Sequence, residues 1–239
     1  MKLAITGQST LASATLFGCY KFHEIVDKSQ CPDVLWACYD TPISASGEAD
    51  YDWVIDRISE DVLSVNTKTL VIISSQMQIG TIRHMETEFP DYTFCYVPEN
   101  IRVATANDDF IKQSRIVAGR RSDKDDELIC SLLTPFTEFI LYTTPETAEM
   151  VKHALNCWLG MNIAFINEIA RIGDAWGVEM PIVSRALMSD SRISPKAPLK
   201  AGGPFGGGHL SRDIKTLVAL SYATKTQAPI INSILKSNE

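Results

Sequence analysis

Lys152 and Asn156 stand four residues apart in a stretch of apolar periodicity. On a helix that spacing puts both on one face. There an ammonium can polarise an alcohol oxygen and an amide can position a water. Further on, Gly202-Gly203-Pro204-Phe205-Gly206-Gly207-Gly208 packs five glycines into seven positions. Such a run implies a backbone that a ligand or another chain approaches closely. His209 and Asp213 follow at the start of a helix, a base and an acid at fixed offsets from the loop. At the other end of the chain lies Gly7-Gln8-Ser9-Thr10-Leu11-Ala12. A dinucleotide turn has the form Gly-x-Gly-x-x-Gly/Ala, which lets helix-start amides approach a pyrophosphate. The outer positions match. The middle glycine is Ser9, whose hydroxyl either crowds a phosphate or bonds to it. A plain strand–helix turn accounts for the same residues equally well. Asp27 has the offset of a ribose-binding acid, about 20 residues on, although Glu24 to Asp27 also reads as an exposed helix end.

The elements that must position these residues divide the chain near residue 145. Lys2 to Thr6, Val34 to Tyr39, Leu70 to Ser74, Thr93 to Val97 and Phe139 to Tyr142 are apolar runs without strict alternation, as strands buried on both faces should be. Tyr51 to Val65 and Thr81 to Glu88 carry helical spacing between them. This alternation predicts an α/β fold with an open parallel sheet. After it, Thr144, Pro145 and Glu146 begin a long helix, and Gly177 stops it. Pro181 to Met188, Asp213 to Thr224 and Pro229 to Leu235 read as further helices, with Asp190 to Gly208 a loop. The expected division is 1–143, a shortened Rossmann-like domain, and 144–239, an all-helical domain with a long central helix. That helix exceeds what a small domain can cover alone, so a homodimer through it is expected.

Composition narrows the classes. Across 239 residues, 22 Lys+Arg face 29 Asp+Glu, a net charge of −7. With a sequence pI near 5.2 and no basic face, nucleic acid is not an expected partner. The one basic knot, Arg120-Arg121, is followed at once by Asp123, Asp125, Asp126 and Glu127 and reads as a solvated loop. No apolar run approaches the ~20 residues that cross a bilayer, and the N-terminus has no signal-peptide plan. Six scattered cysteines without a C-x-x-C pair read as reduced thiols, hence a cytoplasmic protein. No Cys/His spacing suggests a metal.

Several ordered segments resemble the UDP-glucose/GDP-mannose dehydrogenase family. Asp33 to Pro42 resembles the family strand ending in V-x-T-P. Leu70 to Thr81, with Ser74-Ser75-Gln76 and Gly80-Thr81, resembles S-T-V-P-x-G-T. Val97-Pro98-Glu99-Asn100-Ile101-Arg102, then Asp109-Phe110 and Arg115-Ile116-Val117-Ala118-Gly119, resemble S-P-E-F-L-R, D-F and R-I-V-x-G. Lys152-x-x-x-Asn156, Phe165 to Ile169 and Ser191 to Lys196 resemble the central helical domain, and Phe205-Gly206-Gly207 to Asp213 resembles F-G-G-x-C-x-x-K-D.

The resemblance implies oxidation of the C6 alcohol of a sugar nucleotide with NAD. Lys152 and Asn156 would hold the oxyanion and a water, Glu99 would position the sugar and activate water, and Asp213 would orient the lysine. Gly7, Ser9, Asp40, Thr41, Pro42, Ser74, Ser75 and Gln76 would line the cofactor. Arg102, Lys196, Phe205, Gly206, Gly207 and Arg212 would line the substrate. The departures matter as much. The catalytic cysteine falls on His209, and imidazole does not easily replace a thiolate that captures an aldehyde, although His209 can act as a base. The second family Glu falls on Val103, and Gln76 replaces the Thr of S-T-V-P. Gly7 and Pro42 are 35 positions apart, too few for the family's second strand, helix and third strand. The chain ends just after its counterpart of the central domain, so the nucleotide-binding C-terminal domain is also expected to be missing. Three readings follow. The first is a nucleotide-sugar dehydrogenase that stops short of the carboxylate. The second is a dimeric binding or scaffold relative without activity. The third is a single hydride transfer on a smaller alcohol, as in β-hydroxyacid dehydrogenases.

Overall fold

A computed structural model describes residues 1–44, 48–206 and 208–239. The chain forms two compact units, Met1–Pro42 with Asp50–Lys152, and Ile43–Ala49 with His153–Glu239. In the first unit β1 (Lys2–Thr6), α1 (Thr10–Cys19), β2 (Glu24–Ile25) and β3 (Val34–Ala37) are followed by α2 (Tyr51–Val62), β4 (Leu70–Ile73), α3 (Thr81–Glu88) and β5 (Thr93–Tyr96). Then come α4 (Ala106–Ile111), β6 (Ile116–Gly119), α5 (Asp126–Leu133), β7 (Ile140–Thr143) and the first turns of α6 (Pro145–Asp174). The strands form one sheet in the order β2-β1-β3-β4-β5-β6-β7. Every neighbouring pair is parallel except β5 with β6, which meet antiparallel at Tyr96 and Gly119.

The continuous apolar runs of the central strands have the expected cause. Val34, Trp36, Leu70 and Ile72 belong to the core under α1, α4 and α5. The alternate residues Leu35, Ala37, Val71 and Ile73 belong to the core under α2, α3 and the start of α6. Burial on both faces leaves no polar alternation to write.

Two strands, β2 and β6, and three helices, α1, α4 and α5, escape the sequence pattern. β2 is two exposed residues, a strand where an exposed helix end was expected; its pairing with β1 creates it. β6 is a four-residue buried run, too short to show a period. α1 is apolar nearly all round, so it has no amphipathic stripe to recognise. α5 begins within the acidic stretch after Arg120-Arg121; the pair lies in an exposed loop, as expected, but ion pairs tie it to the fold. Arg120 pairs with Asp126 and lies over the Tyr142 ring, while Arg121 pairs with Glu86 and Glu146. Glu86 and Glu146, distant in sequence, supply the countercharges of Arg121.

The second unit holds the rest of α6, then α7 (Met180–Ser189), α8 (Gly208–Ala223) and α9 (Pro229–Ser237). The 30 residues of α6 span about 45 Å at 1.5 Å per residue. Gly177, at φ +66°, reverses the chain after it, and the Val178 N–H bonds the Gly173 carbonyl at 3.1 Å. Ile166, Met180, Ala197 and Leu199 form the core beneath α7. α8 begins at Gly208, not Asp213 as the sequence suggested, so His209, Arg212 and Asp213 all lie within its first turns. Among the described residues no helix is long and apolar enough to cross a membrane.

Candidate functional site

The turn after β1 is built on a close backbone approach. Gly7 sits at φ +105°, and a Cβ there would lie 2.3 Å from the Cys38 carbonyl oxygen. Only glycine fits. Ser9 is extended, at φ −138°, so its position needs no glycine. Its hydroxyl donates to the Cys38 carbonyl at 2.6 Å and accepts from the Ala12 N–H at 2.9 Å. The serine therefore caps α1 and ties it to the end of β3. Of the first-turn amides that no helix bonds internally, those of Thr10 and Leu11 are the ones Ser9 leaves for an anion. The expected cofactor residues beyond β3 and β4 do come together, but as ties within the scaffold. Ser74 Oγ accepts from Trp36 Nε1 at 2.8 Å and donates to the Val97 carbonyl at 2.5 Å. Ser75 Oγ accepts from the Tyr39 N–H at 2.8 Å, and Thr41 Oγ1 donates to the Gln76 carbonyl at 2.6 Å. Asp40 and Pro42 are exposed beside them. A shallow depression, open to solvent and with room for little more than a water, lies among Leu11, Trp36, Ser74, Val97 and Glu99.

Asp27 follows β2, where a ribose acid belongs. Its carboxylate instead caps the turn Lys28–Gln30, accepting from Ser29 N and Oγ at 2.9 and 2.7 Å. These bonds from Ser29 hold its pKa below the ordinary value. A dinucleotide thus fits the first unit unevenly. The glycine turn and the start of α1 suit a pyrophosphate, whereas the β2 side is only two exposed residues at the sheet edge.

Lys152 is buried in the first unit. Its Nζ donates to the Glu99 carbonyl at 2.7 Å and to Glu99 Oε1 at 2.9 Å. Glu99 Oε2 accepts from the Ile101 N–H at 3.0 Å, so the carboxylate is held from two sides. Arg102, expected to meet substrate, is largely exposed and makes a two-point bond to Asp109. That guanidinium holds the Asp109 carboxyl well below the usual carboxylate range.

In the second unit Asn156 Nδ2 donates to Asp213, which is wholly buried. Within this unit Asn156 is what Asp213 orients. His153 Nδ1 lies 3.4 Å from the same carboxylate and Arg212 Nε 3.9 Å. His153 was missed by sequence reasoning. Its signal was its place three residues before Asn156, on the same helix face. The thiol of neighbouring Cys157 is pushed up to about 12 by burial, with the Asp213 charge adding. His209 is exposed, and its Nδ1 lies 3.3 Å from an Arg212 nitrogen; because guanidinium only donates, Nδ1 accepts.

The glycine loop has two anchors that the sequence did not announce. Asn167 accepts from the Gly202 N–H at 2.9 Å and donates to the Gly203 carbonyl at 3.1 Å. Asn238 bonds both backbone groups of Phe205, at 2.9 and 3.0 Å. Phe205 itself is buried. A Cβ on Gly202, Gly203 or Gly206 would meet nothing within 4 Å, so packing within the chain does not require these glycines. Gly207 lies outside the described residues, and Lys196 is exposed in the loop after α7. Among the described residues no three His, Cys, Asp or Glu gather as a metal site.

Residues 6–137 match the NAD binding domain of the UDP-glucose/GDP-mannose dehydrogenase family, and residues 146–239 match its central domain. A UDP-glucose 6-dehydrogenase of Bacillus subtilis is 30% identical over 224 residues, covering 91% of this chain and 48% of that protein. One of Rickettsia bellii is 29% identical over 206 residues, covering 83% and 47%. The chain therefore spans about half the length of these relatives. A solved UDP-glucose dehydrogenase of Pyrobaculum islandicum superposes with a TM-score of 0.86 at 20% identity, over 99% of this chain and 67% of that one.

Proposed function

Because this chain belongs to the UDP-glucose/GDP-mannose dehydrogenase family, we propose that it oxidises an alcohol of a nucleotide sugar with NAD and releases the aldehyde. The observation that carries this reading is the buried Lys152, paired with both the carboxylate and the carbonyl of Glu99. A buried ammonium is costly without a task or a partner, and this one has a third N–H beyond its two bonds to Glu99.

Bound NAD would supply the hydride acceptor. Gly7, Ser9 and the start of α1 would hold its pyrophosphate, with Asp40, Thr41, Pro42, Ser74, Ser75 and Gln76 shaping the crevice. Lys152 would hold the alcohol oxygen through its remaining N–H and stabilise negative charge as the proton leaves. Glu99 would take part in moving that proton. Asn156, its amide oriented by Asp213, would hold a water or a sugar hydroxyl. In the second unit Phe205, Gly206, Gly207, Arg212 and Lys196, and in the first unit Arg102, are the residues proposed to meet the sugar nucleotide. His209 offers a base where the family has a thiol. Cys157 is too basic to supply a thiolate in its place. These two facts favour one oxidation over two. A homodimer through α6 and a cytoplasmic setting complete the reading.

Incubation of the chain with NAD and UDP-glucose or GDP-mannose tests it. One NADH per sugar and an aldehyde product by mass spectrometry are expected, both abolished by Lys152→Ala. Binding of both ligands without any NADH would replace this reading by the inactive-relative one. Two NADH and a carboxylate would overturn the single step.

A further inference from the structure

A dinucleotide in a doubly wound sheet straddles the point where strand order reverses, one mononucleotide half on each side. Here the reversal falls at β1, and the two sides are unequal. On one side lie β3, β4 and β5, with the depression beside Trp36 and Glu99. On the other lies β2 alone, two exposed residues at the sheet edge among those described. Parallel strands are ordinarily joined by a dozen or more residues, usually a helix. From β2 to β3 there are only residues 26–33, and the structure spends them on itself. Asp27 caps its own turn, Lys28 reaches back to Asp61 on α2 at 2.5 Å, and Asp33 accepts from the Lys2 N–H at 2.7 Å. Nothing in this connection stands up as a wall against which a purine could stack.

We infer that this chain recognises its cofactor by the nicotinamide mononucleotide half, and that the adenosine half adds little affinity. The inference rests on the cofactor reading above and deepens it. The glycine turn and the α1 start meet the phosphates. The depression beyond β3 to β5 meets the nicotinamide end. The adenosine extends over the short edge with most of its surface in water, and the Asp27 carboxylate there has one of its oxygens already held by Ser29.

Fluorescence titration of the whole chain with NADH and with reduced nicotinamide mononucleotide tests this, because both carry the same reporting ring. Dissociation constants within about tenfold of each other are expected, with AMP failing to displace NADH. Asp27→Ala should change NADH affinity by less than about twofold. NADH binding more than about a hundredfold tighter than the mononucleotide, or displacement by AMP, would overturn the inference and leave the cofactor reading standing. A loss in Asp27→Ala confined to NADH would do the same. Binding of neither dihydronicotinamide would overturn both.

Discussion

Ser9 shows how one side chain changes the meaning of a motif. Judged by spacing, it occupies the middle glycine of a phosphate turn and either blocks or binds the phosphate. The structure turns its hydroxyl inward, to Cys38 and Ala12, a direction no spacing can convey. Ser9→Ala should therefore behave as the loss of a helix cap. A fall in stability of about 1 kcal/mol is expected in urea denaturation. Lys152 and Asn156 were singled out by their helical spacing, Asp213 by its offset from the glycine loop, and Glu99 only by the family resemblance. Their partners were less legible. Asp213 meets Asn156, His153 and Arg212, and only the folded second unit says which.

At the scale of elements, ends are decided by residues far away. α3 starts after Gly80, which has no side chain to cap it. The wholly buried Glu149 of α6 supplies the cap, accepting from Gly80 N at 2.6 Å and Ile82 N at 2.9 Å. Glu149→Ala should destabilise the fold by about 1–3 kcal/mol, because it strands two buried amides, with Glu149→Gln milder. Glu146, at the start of α6, accepts from Arg121 and Arg83, and Arg121 foremost draws its pKa from 4.5 to about 2. A carboxyl depressed in the folded state contributes stability above its unfolded value and loses it as pH falls through the folded one. The stability gap between wild type and Glu146→Gln is thus expected to be full above about pH 5 and to close toward pH 2. A gap that stays constant in chemical denaturation across that range would contradict this pairing. The same distance effect hid the partners of Arg121 and the strand β2, whereas α3 and α7, amphipathic and locally signalled, were legible.

For the whole molecule, α6 keeps Trp158, Phe165 and Ile172 at seven-residue steps, 42%, 48% and 61% exposed. Large apolar groups left in water at a helical repeat mark an association face. In the homodimer proposed above, Phe165→Asp is expected to convert dimer to monomer in sedimentation, with the circular dichroism of the helices retained; a wild-type chain that sediments as a monomer would overturn that proposal. An unchanged dimer would place the contact elsewhere. By itself the sequence determined the α/β class, the central strands and the segments that resemble the family. Buried strands must be continuously apolar, helices must repeat, and a backbone pressed against another, as Gly7 is on Cys38, must be glycine. The tertiary structure alone decided the edge strand β2, the start of α8 ahead of His209, the capping of α3 by Glu149 and the inward turn of Ser9. Each of these is set by a partner remote in the chain, and hydrogen bonds across such distances leave no period in the order of residues.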